Sequence, residues 1–253
     1  MDYSPRHGRI LSLLAEKGTI GVNALAALLD VSVETVRRDV KALAGRGEIV
    51  RMHGSIGLPS VVSEAPFERR MRENREAKEA IAALAAASIR DGESVMLDTG
   101  TTTSFLARAL LDHRRLTVVT NSSDIARTLA TVNGNKVYMA GGELRSDSGA
   151  ALGFSAIEFV SRFSVDHAII SAGAINVASG VMDYDLEEAQ FGQTVLARGR
   201  RRVVVTDSSK FGQKGLVRVC ALADFDELIA NRMPPADLTQ ALHAADVSLR
   251  ICS

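Results

Sequence analysis

With 253 residues, 46% apolar and only 4% aromatic, the chain can bury one large core or two unequal ones built mostly from Ala, Val, Leu and Ile. Thirty basic residues balance thirty acidic ones, which excludes a polycation that holds nucleic acid by bulk charge but leaves room for a small, well-aimed basic surface. Cys220 and Cys252 are too few for a disulfide framework or a four-cysteine metal site. Neither an apolar leader nor a membrane-length apolar run occurs, so a soluble cytoplasmic protein without metal, cofactor or membrane partner is expected.

Residues 4–57 read as three short helices and a hairpin. Ser4 before Pro5 suits a helix start, with Ile10, Leu13 and Leu14 as its apolar stripe and Gly18 as its stop. A second helix near 22–29 turns Leu25, Leu28 and Leu29 inward. Asp30 and Val31 make a tight turn, and Ser32 is placed to cap a third helix running to about Ala44. At about 100° per residue, Val33, Val36, Val40 and Leu43 of that helix gather within about 80° as a buried face. Opposite them lie Glu34, Thr35, Arg38, Lys41 and Ala42, with Arg37 on the flank. "GEIVRMHGSIG" follows as two short strands around a Gly turn that carries Arg51 and His53.

This is the plan of a winged helix-turn-helix module, whose third helix enters the major groove. There Arg37 or Arg38 could grip guanine O6 and N7, Thr35 suits a base edge or a phosphate, and Lys41, Arg46 and Arg51 would track phosphates. The competing explanation is a solvated helix in which Glu34 and Arg38 form an i,i+4 pair worth roughly a few tenths of a kcal/mol. Residues 1–55 hold 8 Lys/Arg against 6 Asp/Glu, so charge does not decide between them.

Residues 58–74, with two prolines and a charge run, read as a linker bearing a short polar helix. From residue 75 short apolar strands alternate with helices. Helix 75–90 ends at the Asp91-Gly92 turn. Then come strand 94–97, helix 103–111, strand 116–120, helix 123–130 and strand 136–140. Strand 167–171, helix 186–198, strands 202–206 and 227–230, helix 234–244 and a short strand near 247–250 complete the chain. The alternation predicts a mainly parallel, doubly wound α/β sheet.

Ligands on such sheets bind at the carboxyl ends of the strands. "DTGTTT" (98–103), Asn121-Ser122, Gly141-Gly142 and "DSSK" (207–210) all fall there. Gly100 and the Thr run opening a helix offer backbone N–H groups, hydroxyls and a positive dipole end, which suit phosphate. Lys210 would add a compact positive charge, and Asp98 is better placed to hold ligand hydroxyls. Each feature alone is more often a cap, a turn or a surface residue; the signal is their shared edge. No Walker loop, dinucleotide fingerprint, zincin motif or nucleophile elbow is present.

"VSVETVRRDVKALAGRGEIVRMHG" resembles the recognition helix and wing of DeoR-type bacterial regulators. "DTGTTT", "VVTNS", "AGGELR", "EEA" and "DSSKFG" are similar to that family's sugar-phosphate sensor, a relative of ribose-5-phosphate isomerase. The resemblance covers nearly the whole chain. It implies a winged helix-turn-helix domain over 1–57, a linker over 58–74 and an effector-binding α/β domain over 75–253. DNA would be held by Ser32, Thr35, Arg37, Arg38, Lys41, Arg51 and His53. The effector would be held by Asp98, Gly100, Thr101, Thr102, Asn121, Gly141, Gly142, Glu188 and Lys210.

The implied partners are double-stranded operator DNA, a second copy or more of the chain as a homodimer or homotetramer, and a phosphorylated effector. "AGGELR", "DSSKFG" and the tail "PPADLTQALHAADVSLRIC" are most similar to members that answer to glycerol 3-phosphate. Two departures stand out: His53-Gly54-Ser55 replaces the usual His-Gly-Gly, and Gly192-Gln193 stands where relatives often carry a basic residue. The expected function is a repressor released by its effector and not an enzyme. The alternatives are a regulator of another sugar-phosphate pathway, or an isomerase using Glu188, Asp98 or Asp207 for proton transfer.

Overall fold

The computed structural model describes residues 5–17, 19–52, 55–58 and 64–252. They fall into two compact units, Met1–Ala65 and Pro66–Ser253.

The first unit runs α1 (Pro5–Lys17), β1 (Thr19–Gly21), α2 (Val22–Leu29), α3 (Val33–Gly45), β2 (Val50–Met52) and β3 (Ser55–Gly57). Ile10, Leu14, Leu25, Val36, Val40, Leu43, Ile49 and Ile56 form its core. Asp30 turns the chain between α2 and α3 in the left-handed region (φ 52°), and Ser32 caps α3 by accepting the Thr35 N–H at 3.2 Å. The predicted hairpin gains a strand that periodicity did not show. β1 pairs antiparallel with β3 through Ile20 and Ile56, making the order β1-β3-β2. Three residues are too few to display an alternation.

The second unit opens with α4 (Phe67–Arg72) and α5 (Arg75–Ala86). Thus part of the segment expected as linker folds with the larger unit, anchored by the buried Phe67. Then follow β4 (Ser94–Leu97), α6 (Thr101–Ala109), β5 (Thr117–Thr120), α7 (Ser123–Leu129), β6 (Lys136–Met139), α8 (Phe154–Val160) and β7 (Val165–Ser171). β8 (Ala174–Asn176), β9 (Gly180–Asp183), α9 (Leu186–Leu196), β10 (Gly199–Thr206), β11 (Val217–Cys220), β12 (Glu227–Ala230), α10 (Ala236–Ala244) and β13 (Ser248–Ile251) complete it.

Seven strands make one wholly parallel sheet in the order β13-β12-β10-β7-β4-β5-β6. Alternate residues on each strand feed different cores. Met96, Val119, Ala168, Val204 and Leu228 pack with α8, α9 and α10. Val95, Leu97, Val118, Ile169, Val203, Val205 and Ile229 pack with α5, α6 and α7. Helices on both faces explain why these strands read as unbroken apolar runs. The sequence reading lacked α8 and the small antiparallel sheet β11-β9-β8, whose strands are three or four residues long. Among the described residues, no helix is long and apolar enough to cross a membrane.

Candidate functional sites

On α3, Val36, Val40 and Leu43 are buried while Glu34, Arg37, Arg38, Lys41 and Ala42 are exposed, as the helical wheel requires. Thr35 is half-buried, its hydroxyl 2.8 Å from that of Ser32, so these two polar groups lean on each other at the start of the helix. Glu34 pairs with Arg37, at 3.6 Å, and not with Arg38 as the competing explanation supposed. Arg38 and Lys41 stand one turn apart along the exposed side, and Arg51 is exposed on β2. His53 lies outside the described residues.

Asp39 is the residue that the wheel missed. It faces inward at 6% exposure and accepts from Arg6 Nη2 at 3.0 Å, with His7 Nε2 at 3.2 Å. The hydrogen bond from Arg6 holds its carboxyl below the usual carboxylate range, against the opposing effect of burial. This charged brace pins α3 to α1, so the angle at which the exposed basic side is presented depends on a residue that faces away from it.

In the larger unit the winding reverses at β4. The chain passes outward through β5 and β6, then crosses back to β7 on the other side of β4. A crevice at such a switch point is where open α/β sheets bind ligands. Asp98, Gly100, Thr101 and Thr102 follow β4, Asn121 follows β5, Gly141 and Gly142 follow β6, and Lys210 lies on the 3₁₀ turn Ser208–Lys210 after β10.

Asp98 is the hub of the reversal. One carboxylate oxygen accepts the Thr103 hydroxyl at 2.8 Å; the other accepts the Ser171 N–H at 2.8 Å and its hydroxyl at 3.1 Å. Burial pushes the Asp98 carboxyl up to about 7, helped by the charge of Asp183 and opposed by those hydrogen bonds. Gly100 is obligatory here, since a Cβ would stand 1.9 Å from Ser171 Oγ. Thr101 and Thr102 are each 5% exposed, so what this turn offers a ligand is chiefly backbone N–H at the opening of α6.

Asn121 ties the loop after β4 to the segment before α8. It is wholly buried, accepting from Thr99 Oγ1 at 2.8 Å and donating to the Ala151 carbonyl at 3.0 Å. Gly141 and Gly142 are exposed, and Gly142 has φ +145°. Glu188 sits on the first turn of α9 in a cluster around Arg145, which reaches Asp185 and Glu187 at 2.9 Å and Glu188 at 3.5 Å. Gln193 donates to the Arg218 carbonyl, while Gly192 packs on Val219.

Sequence reasoning missed Ser171 and Arg145. Ser171 ends an apolar strand 73 residues from Asp98 and carries no local signal. Arg145 stood inside "AGGELR", and the carboxylates that follow in "DLEEA" were the available hint.

A helix-turn-helix unit with a basic exposed side, joined in one chain to a doubly wound sheet whose strand ends carry polar residues at the switch point, defines a DNA-binding regulator that carries its own sensor. The chain belongs to the DeoR family: residues 6–61 match the DeoR-like helix-turn-helix domain and residues 73–232 the DeoR C terminal sensor domain. It is 37% identical over 246 residues to the HTH-type transcriptional repressor CsqR of Escherichia coli, covering 97% of this chain and 94% of that one. The glycerol-3-phosphate regulon repressor of Escherichia coli is 32% identical over the full length of both chains. That of Haemophilus influenzae is 35% identical, over 92% of this chain and 91% of its own. Among solved structures, ribose 5-phosphate isomerase A from Neisseria gonorrhoeae aligns at 19% identity with a TM-score of 0.40, over 54% of this chain and 53% of that one. That likeness is too remote to support any inference.

Proposed function

We propose that the protein is a cytoplasmic transcriptional repressor whose hold on operator DNA is released by a phosphorylated small molecule bound at the β4/β7 switch point. The observation that carries this reading is the Gly100 turn. This turn opens α6 directly after Asp98, a carboxyl raised to about 7, and Lys210 follows β10 at the same carboxyl end of the sheet. That combination suits an anion bearing hydroxyl groups. Glycerol 3-phosphate is the first effector to try, because two relatives named for its regulon match this chain over nearly its whole length. A relative named for another operon keeps a different sugar phosphate as the alternative.

DNA would be read by Arg38 and Arg37 on α3, with Thr35 and Ser32 at its start, and gripped by Lys41, Arg51 and His53. A dimer or tetramer would set two such helices about one helical turn apart on a near-palindromic site. An effector that prefers the DNA-free state, at 100 times its dissociation constant, shifts the balance by roughly 2.7 kcal/mol per site. That corresponds to about a hundredfold release. An isomerase would want a carboxyl poised near 7, which Asp98 provides. Both its oxygens are occupied by Thr103 and Ser171, however, which favours a sensor. Titration of labelled upstream DNA with the protein, with and without glycerol 3-phosphate, tests the proposal. Turnover of ribose 5-phosphate would favour the isomerase.

A further inference from the structure

The loop that carries Lys210 is tied to the corner where the chain enters the larger unit. Asn74, between α4 and α5, adopts the left-handed conformation (φ 50°), which a residue other than glycine seldom takes. Its side chain does not cap its own helix. It crosses instead to the "DSSK" loop, donating to Asp207 at 3.0 Å and to Ser209 Oγ at 3.3 Å. One turn on, Lys78 is 4% exposed, and its ammonium donates to the backbone carbonyls of Arg70 and Glu73. Burial lowers its pKa, and the Asp207 carboxylate opposes that shift. Asp207 is itself 4% exposed and holds its loop through the Ser209 N–H at 3.0 Å.

One buried carboxylate therefore organises two things: the turn that presents Lys210, and the helical corner from which the chain runs toward the DNA-binding unit. The geometry points to the Asn74–Asp207 clamp as the positioning device that passes occupation of the strand ends to the corner between α4 and α5, and so to the DNA-binding unit. A ligand that draws Lys210 and its loop toward the crevice changes where Asp207 sits. Asn74 then follows, because the buried Asp207 carboxylate gives up a hydrogen-bond partner only at a cost. None of these residues needs to touch the ligand. The inference rests on the switch-point reading of the sensor.

Asn74→Gly is the informative variant, since glycine keeps the left-handed backbone and deletes only the amide. Operator affinity is measured with and without glycerol 3-phosphate for wild type and Asn74→Gly, alongside calorimetric binding of glycerol 3-phosphate to each. The expected result is ligand affinity within about threefold of wild type, with the effector-induced change in operator affinity, ordinarily about 5- to 150-fold, reduced to near onefold in the variant. A variant that keeps the wild-type change overturns the clamp, even if its melting temperature falls. A wild type that binds the operator but ignores glycerol 3-phosphate contradicts that choice of effector, and the clamp is then judged without ligand. Asp207→Ala should raise amide exchange across residues 67–73 by about tenfold or more. Unchanged exchange there overturns it.

Discussion

The Asp98 carboxylate accepts both the backbone N–H and the hydroxyl of Ser171, at 2.8 and 3.1 Å, and so joins the ends of β4 and β7 where the sheet reverses its winding. The two strands are hydrogen-bonded neighbours, yet their ends would leave the Ser171 N–H without a partner if Asp98 were apolar. The same carboxylate receives the Thr103 hydroxyl from α6, which also accepts the Gly100 N–H and so fixes the turn that opens this helix. A structural bond and a candidate binding turn thus share one side chain.

That sharing has a pH signature. The Asp98 carboxyl sits at about 7 in the folded protein against an ordinary 3.8. The native state therefore holds this proton more tightly than the unfolded chain does. Its contribution to stability is fully present below about pH 4, falls as pH rises toward 7, and is flat above, with a slope of at most about 1.4 kcal/mol per pH unit. Urea unfolding of wild type and Asp98→Asn across that range should show a decline in wild type that the variant lacks. Parallel profiles would rule out the perturbed carboxyl.

Gly100→Ala drives a methyl group into Ser171 Oγ. Relief requires the β4–α6 turn to shift, at a cost of about 1–3 kcal/mol in unfolding free energy. Adding Ser171→Gly, which clears the space, should recover part of the loss. A Gly100→Ala protein with wild-type stability would contradict the close approach.

The elements built from local signals were legible in the sequence. Ser32 capping α3, the apolar face of Val36, Val40 and Leu43, and strand β4 over 94–97 follow from capping chemistry and periodicity. The grouping of "DTGTTT" and "DSSK" at one sheet edge follows from the rule that parallel strands put their carboxyl ends together. Hidden were the partners chosen across long separations. Arg6 with Asp39 spans 33 residues, Asp98 with Ser171 spans 73, and Asn74 with Asp207 spans 133. The burial of Asn121 and its bonds to Thr99 and Ala151 likewise carry no local signal.

In the smaller unit, Asp39→Ala leaves the Arg6 and His7 side chains without their shared carboxylate. About 1–3 kcal/mol of stability should be lost, and operator affinity should weaken for all sequences alike because α3 loses its anchor to α1. The depressed Asp39 carboxyl gives the opposite pH sign to Asp98. Its contribution is present above the unfolded value of 3.8 and disappears as acid protonates the folded form. The gap between thermal melts of the two proteins should therefore be constant near pH 7 and narrow as the pH is taken progressively below 3.8. A gap that does not narrow would assign the loss to packing.

Arg38 and Lys41 should separate by kind of effect. If Arg38 grips a guanine, Arg38→Ala costs about 1–3 kcal/mol at the operator and relaxes preference at one base pair. Lys41→Ala should weaken specific and nonspecific DNA similarly and lower the salt slope by about one contact. Competition binding against single-base operator variants distinguishes them. Arg38→Ala with unaltered preference would remove it from the groove.

The most direct test of a repressor answering to a strand-end ligand is fluorescence anisotropy of labelled upstream DNA, with wild type and Lys210→Ala, each with and without glycerol 3-phosphate. Wild type should bind tightly and be released by the ligand, while Lys210→Ala binds equally tightly and stays bound. Equal release of both proteins would take Lys210 out of the site, and a wild type that does not bind the DNA specifically would contradict the repressor itself.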